Sequence, residues 1–154
     1  MNKSVMIVGV GGQGTLLASR ILGDAMMDQG FDVKVSEVHG MSQRGGSVVT
    51  YVRYGDKVYS PVIETGEADV VLAFEQLEAA RFLPYLKVGG TVVTSTQKID
   101  PMPVVTGDKA YPQGILEEME GKGVNVLAVD AMSLAEEALS LIHISEPTRR
   151  VVIS

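Results

Sequence analysis

Residues Ser4–Gly14 read SVMIVGVGGQG and run without a break into TLLASRILGDAMMDQG at Thr15–Gly30. Ser4–Val8 is an apolar, Val- and Ile-rich run of strand length, which predicts a buried first strand. The helix predicted from about Gln13 to Gln29 carries Leu17, Ala18, Ile21, Leu22, Ala25 and Met26 as one stripe at helical spacing. Gly30 stands where a left-handed residue ends a helix, and Phe31–Val38 then alternates as a second strand. Strand, glycine loop, helix and strand in this order form a β–α–β unit.

Outward from that unit the alternation continues. Ser47–Tyr54 alternates, and Gly55-Asp56 predicts a turn into Lys57–Ile63, so a β-hairpin is expected after the second strand. Asp69–Phe74 reads as a strand, Glu75–Leu86 as a helix with Pro84 in its last turn, and Thr91–Ser95 as a strand after Gly89-Gly90. Gln97–Pro112 holds three of the six prolines and is expected to be irregular, with a short strand at Val104-Val105. Gln113–Gly121 reads as a helix, Val124–Val129 as a strand and Ala131–Ala138 as the start of a last helix. The expected fold is α/β, a Rossmann-like three-layer sandwich with a mostly parallel sheet.

Composition narrows the chemistry. The 154 residues are 45% hydrophobic and 21% charged, a globular balance that excludes wholesale disorder. There is no cysteine, which excludes disulfides, thiol catalysis and cysteine-held clusters or zinc within the chain. A net charge of −6 argues against nucleic-acid binding, and the opening apolar run is too short to span a membrane. With no targeting segment evident, a cytoplasmic location is expected.

Leu139–Arg149, LSLIHISEPTR, is similar to the translation of a transposase-type sequencing-library adapter, which Ile153-Ser154 resumes after an index-length gap. The sequence is therefore read as one domain over residues 1–138, C-terminally truncated, with 139–154 as a non-native tail. Residues 145–154 are expected to lack a docking site.

The glycine loop Gly9, Gly11, Gly12, Gly14 satisfies G-x-G-x-x-G between a strand and a helix, where free N–H groups suit an anion. Glu37 lies 23 positions after Gly14, where a dinucleotide fold places its ribose-binding acid. A free-standing NAD- or FAD-binding domain is thus one reading. Against it, Gln13 puts an amide inside the turn, able to bond a ligand or partner, and Glu37 leads into a polar loop instead of a crossover helix.

That loop is the second candidate site. SEVHGMSQRGGSV at Ser36–Val48 offers a titratable imidazole at His39, polar side chains at Ser42 and Gln43, and the planar guanidinium of Arg44. Gly40, Gly45 and Gly46 allow it to fold tightly against another surface. Both loops are expected at the carboxyl edge of the sheet, where α/β proteins bind ligands. Glu75-Gln76 lie at the same edge, although Glu75 has the alternative of simply starting a helix, and Asp130 reads as the N-cap of the last helix.

GVGGQGTLLASRILGDA together with SEVHGMSQRGGSVVTYVRYGDKVYSP resembles the gamma-type domain of the 2-oxoacid:ferredoxin oxidoreductases over residues 3–138. Gly-Met-Ser-Gln-Arg at Gly40–Arg44 is more similar to the indolepyruvate branch than to the Gly-Pro-Glu-Arg of relatives acting on pyruvate or 2-oxoglutarate. The resemblance implies oxidative decarboxylation of a 2-oxo acid with coenzyme A. It also implies a larger partner subunit that carries thiamine diphosphate, magnesium and [4Fe-4S] clusters and passes electrons to ferredoxin. This chain alone would bind no cofactor; it would complete the active site and the coenzyme A region, its glycine loop and Arg44 facing the junction.

Overall fold

A computed structural model describes residues 1–38 and 46–145, with side-chain detail to residue 140. The strands are β1 (Lys3–Val10), β2 (Asp32–Val38), β3 (Ser47–Gly55), β4 (Ala68–Ala73), β5 (Leu86–Ser95) and β6 (Asn125–Val129). The helices are α1 (Thr15–Asp28), α2 (Gln76–Arg81), α3 (Met102–Val105), α4 (Ile115–Gly121) and α5 (Ala131–Ser145), with a 3-10 turn at Leu83–Tyr85. The sheet order is β2-β3-β1-β4-β5-β6. β1, β4, β5 and β6 pair in parallel, whereas β3 runs antiparallel to both of its neighbours, so five strands share one direction.

Alternation along β1 splits the core in two. Met6 and Val8 join Val71, Ala73 and Val92 beneath Ala79 of α2 and Ile115 and Met119 of α4. Val5 and Ile7 point to the other face with Val52, where Ala18 and Leu22 of α1 pack. Helices on both faces give the expected three layers.

The second hairpin arm is corrected. Lys57–Ile63 is not a strand, because β3 already has β1 on one edge and β2 on the other and offers no free ladder. Side chains hold this segment instead. Asp32 accepts from Val58 N–H at 2.8 Å, and the Arg53 guanidinium donates to the Val62 carbonyl at 3.0 Å. Val58 and Ile63 are buried all the same. The inserted element is thus one reversed strand that makes its antiparallel pair with β2.

Three smaller expectations shift. Val104-Val105 closes the single helical turn of α3, which Pro101 and Pro103 start. The helix expected to reach Leu86 ends at Arg81, and the 3-10 turn carrying Pro84 feeds directly into β5. The α1 stripe is only half used. Thr15, Ser19 and Gly23, at i, i+4 and i+8, are its buried residues, and Leu17 and Ile21 are each 62% exposed. Small residues let this helix approach closely; a Cβ at Gly23 would already touch Val35 at 3.6 Å.

On the far half of the sheet, Val126 packs into the core beneath α4, while its neighbour Leu127 on the opposite face is 56% exposed. Residues 132–140 of α5 are exposed as well, and Asp130 caps that helix by accepting from Ser133 N–H at 3.1 Å. Among the described residues no helix is long and apolar enough to cross a membrane. The tail expectation for residues 145–154 lies beyond the described side chains, which end at residue 140.

Candidate functional site at the carboxyl edge

The glycine loop leaves β1 at the carboxyl edge and is held by hydrogen bonds from three directions. Gly11 N–H donates to the Gly46 carbonyl at 3.0 Å, and Gln13 N–H to the Val10 carbonyl at 3.2 Å. The Gln13 side chain turns inward. Its Oε1 accepts from Val10 N–H at 2.8 Å, and its Nε2 donates to the Phe74 carbonyl at 2.9 Å and to Gln97 Oε1 at 3.2 Å. The expected ligand-facing amide is therefore engaged by the protein itself, tying the ends of β1 and β4 to the segment after β5.

Gly9 serves that arrangement. A Cβ there would lie 2.9 Å from Gln13 Oε1 and 3.0 Å from Thr15 Cγ2. Gly12 and Gly14 are glycines for a different reason, with φ of 94° and 85° in the left-handed region. Gly14 is the N-cap of α1 and supplies no side chain, so the first-turn N–H groups lack a side-chain cap.

The described end of the second loop lies beside the first, while its start leaves β2 on the far side of β3. Val38 pairs with Val49 on β3, and Ser47 pairs with Val10 at the end of β1. Gly46 thus reaches the glycine loop, as its bond to Gly11 records. His39, Gly40, Ser42, Gln43, Arg44 and Gly45 lie outside the described residues. Glu37 is on β2, opposite Thr50, with β3 between it and β1. Two strand spacings, about 10 Å, separate it from the glycine strand. That removes the adjacency on which a ribose-binding acid depends, and the dinucleotide reading is not favoured.

Sequence reasoning missed a buried acidic wall next to these loops. A cleft of about 300 Å³ is lined by Gly46, Ser47, Glu75, Glu78, Arg81 and the Ile99–Pro103 segment, among others. Glu75 is 1% exposed; its carboxylate accepts from Glu78 N–H at 2.9 Å, from Ile99 N–H at 3.1 Å and from the Tyr111 hydroxyl. It caps α2, as its alternative reading allowed, and it also pins the proline-rich segment. Burial and the Glu75 carboxylate together push the Tyr111 phenol well above its ordinary pKa. Glu78 accepts from the Ser47 hydroxyl, with Arg81 Nε at 3.5 Å from its carboxylate. The only hint of these contacts in the sequence was the Glu75-Gln76 pair at the start of α2.

Among the described residues no group of three or more His, Cys, Asp or Glu side chains is placed to hold a metal, and the chain has no cysteine. Without cysteine it has no thiolate to ligate an iron–sulfur cluster.

The family model for pyruvate ferredoxin/flavodoxin oxidoreductase matches residues 4–152. The chain belongs to this family. It is 48% identical over 145 residues to indolepyruvate oxidoreductase subunit IorB of Pyrococcus horikoshii, covering 90% of this chain and 70% of that protein. It is 30% identical over 135 residues to the pyruvate/ketoisovalerate oxidoreductases common subunit gamma of Thermococcus litoralis, covering 86% and 66%. Among solved structures, the pyruvate oxidoreductase subunit PORC of Thermotoga maritima shares the fold, with a TM-score of 0.63 at 19% identity over 90% of this chain and 67% of that one. The chain is a subunit of a 2-oxoacid:ferredoxin oxidoreductase.

Proposed function

We propose that the chain is the smaller subunit of an indolepyruvate-type enzyme and that its carboxyl edge completes the active site built on a larger subunit. The reaction joins an aryl 2-oxo acid to coenzyme A. The bond between the carbonyl and carboxylate carbons breaks to release carbon dioxide, a thioester forms, the thiol proton is released, and two electrons pass singly to ferredoxin. The partner's thiamine diphosphate and magnesium would supply carbanion stabilisation, and its [4Fe-4S] clusters would take the electrons. This chain's part is to bind and orient coenzyme A at the junction in the cytoplasm.

The observation that carries this reading is the meeting of both glycine-bearing loops at one edge, through Gly11 N–H and the Gly46 carbonyl. The uncapped first turn of α1 opens beside them and suits an anionic group such as a phosphate. Higher identity to indolepyruvate oxidoreductase subunits than to the pyruvate/ketoisovalerate common subunit favours the aryl substrate. Arg44 is assigned to coenzyme A. In the assembled complex, Arg44→Ala should raise the coenzyme A KM about tenfold or more with little change in the 2-oxo acid KM; unchanged coenzyme A kinetics refute that role.

A further inference from the structure

We propose that Gln13 is a positioning residue for this reaction: its amide fixes the Gly12 and Gly14 N–H groups of the glycine loop so that they meet coenzyme A in one geometry. The inference rests on the functional reading above and assigns Gln13 no contact with substrate. Its three hydrogen bonds run to Val10 N–H, the Phe74 carbonyl and Gln97 Oε1, all inside the protein. Each anchors a different part of the carboxyl edge. Val10 is the last residue of β1, Phe74 follows β4, and Gln97 follows β5. Gln97 is itself held, since its N–H donates to Ser95 Oγ at 3.2 Å and its carbonyl accepts from Gln76 N–H at 3.2 Å.

The clamp therefore references the loop to the rigid sheet and to the first turn of α2. Without it, Gly11, Gly12 and Gly14 leave the turn between β1 and α1 with the most conformationally free backbone available. Among the described residues no acceptor takes the N–H of Gly12 or Gly14. These are the groups whose direction the clamp sets. Preorganised donors of this kind lower the cost of binding because the loop need not be ordered when the ligand arrives.

The donor side of the amide gives a specific test. In Gln13→Glu, one carboxylate oxygen can still accept from Val10 N–H. The other then faces the Phe74 carbonyl and Gln97 Oε1. Gln97 can turn its amide to donate, but the Phe74 backbone carbonyl cannot, so the clamp closes fully only when the introduced carboxyl is protonated and donates in place of the amide. The folded-state pKa of that carboxyl is thereby raised. Its clamp is present at low pH and lost as pH rises through that value.

The experiment is steady-state kinetics of the assembled complex from pH 6 to 8.5, comparing wild type, Gln13→Glu and Gln13→Ala, with hydrogen exchange at Val10 measured in the same complexes. The Gln13→Glu complex should show a coenzyme A KM about tenfold above wild type at pH 8, narrowing toward pH 6, with kcat within about twofold. Gln13→Ala should show a comparable KM rise at every pH. After correction for intrinsic rates, Val10 exchange should be faster than wild type in Gln13→Ala, which removes the Oε1 acceptor. Faster Val10 exchange with wild-type coenzyme A KM would overturn the positioning role and leave a merely structural clamp. Unchanged exchange and KM in both variants would overturn the clamp altogether. A wild-type complex whose turnover needs no coenzyme A would instead overturn the functional reading, which separates the two failures.

Discussion

Glu75→Ala tests whether the buried acid organises the edge. The substitution removes the acceptor of Glu78 N–H, Ile99 N–H and the Tyr111 hydroxyl at once, in a site where Glu75 is 1% exposed. A hydrogen bond to a charged acceptor contributes about 1.5–3 kcal/mol, and the three share one carboxylate, so they do not add in full. Loss of the α2 cap is included in that figure. A destabilisation of about 3–5 kcal/mol follows, against a total of about 5–15 kcal/mol for a domain. In urea, with a slope near 2 kcal/mol/M, the midpoint should fall by about 1.5–2.5 M. Tyr111→Phe removes one of the three donors and should cost about 1.5 kcal/mol, half as much or less. Equilibrium unfolding followed by far-ultraviolet circular dichroism measures both. If Glu75→Ala loses less than about 0.5 kcal/mol, the carboxylate is not the pin described, whatever its burial.

Gly9→Ala should destabilise by about 1–3 kcal/mol, because the new methyl meets Gln13 Oε1 at 2.9 Å and Thr15 Cγ2 at 3.0 Å; thermal unfolding checks this, and a neutral result would mean the clamp has slack. The Asp32 carboxyl is held below its ordinary pKa, first by the Val58 N–H and then by Lys34. A depressed folded value contributes stability above the unfolded pKa and loses it as pH falls through the folded one, so Val58 exchange should quicken in acid while β1 stays protected. Exchange at Val58 independent of pH, after correction for intrinsic rates, would remove Asp32 from that role.

Periodicity sufficed for the strand–helix alternation because a parallel strand buried on both faces and a helix packed on one leave different spacings of apolar residues. The place of β3 was not legible. Local pattern reports that Ser47–Gly55 is a strand but not which edges it takes, and a turn signal at Gly55-Asp56 made a hairpin with Lys57–Ile63 the nearest answer. Pairing is decided by residues far apart, here Lys3 with Tyr54 and Asp32 with Gly55. At the site, the two loops and their shared edge were visible as glycine density between elements. The inward turn of Gln13 was not, since an amide in a loop satisfies a ligand and a carbonyl equally well. The Glu75 network was half visible, as its partners Ile99 and Tyr111 come from a proline-rich stretch with no periodic signal.

The reversed strand also sets an order of assembly. β3 lies between β1 and β2, so the first two strands of the chain have no ladder with each other and must wait for Ser47–Gly55 to emerge from the ribosome. Each β1–β3 pair closes a long loop, from Val10 with Ser47 to Lys3 with Tyr54. Such non-local closure is slow compared with helix formation, so α1 can form before the sheet that seats it. The glycine turn at its head gains its Gly46 anchor only in that later step, and the nascent chain is without a finished first unit until residue 55 is free.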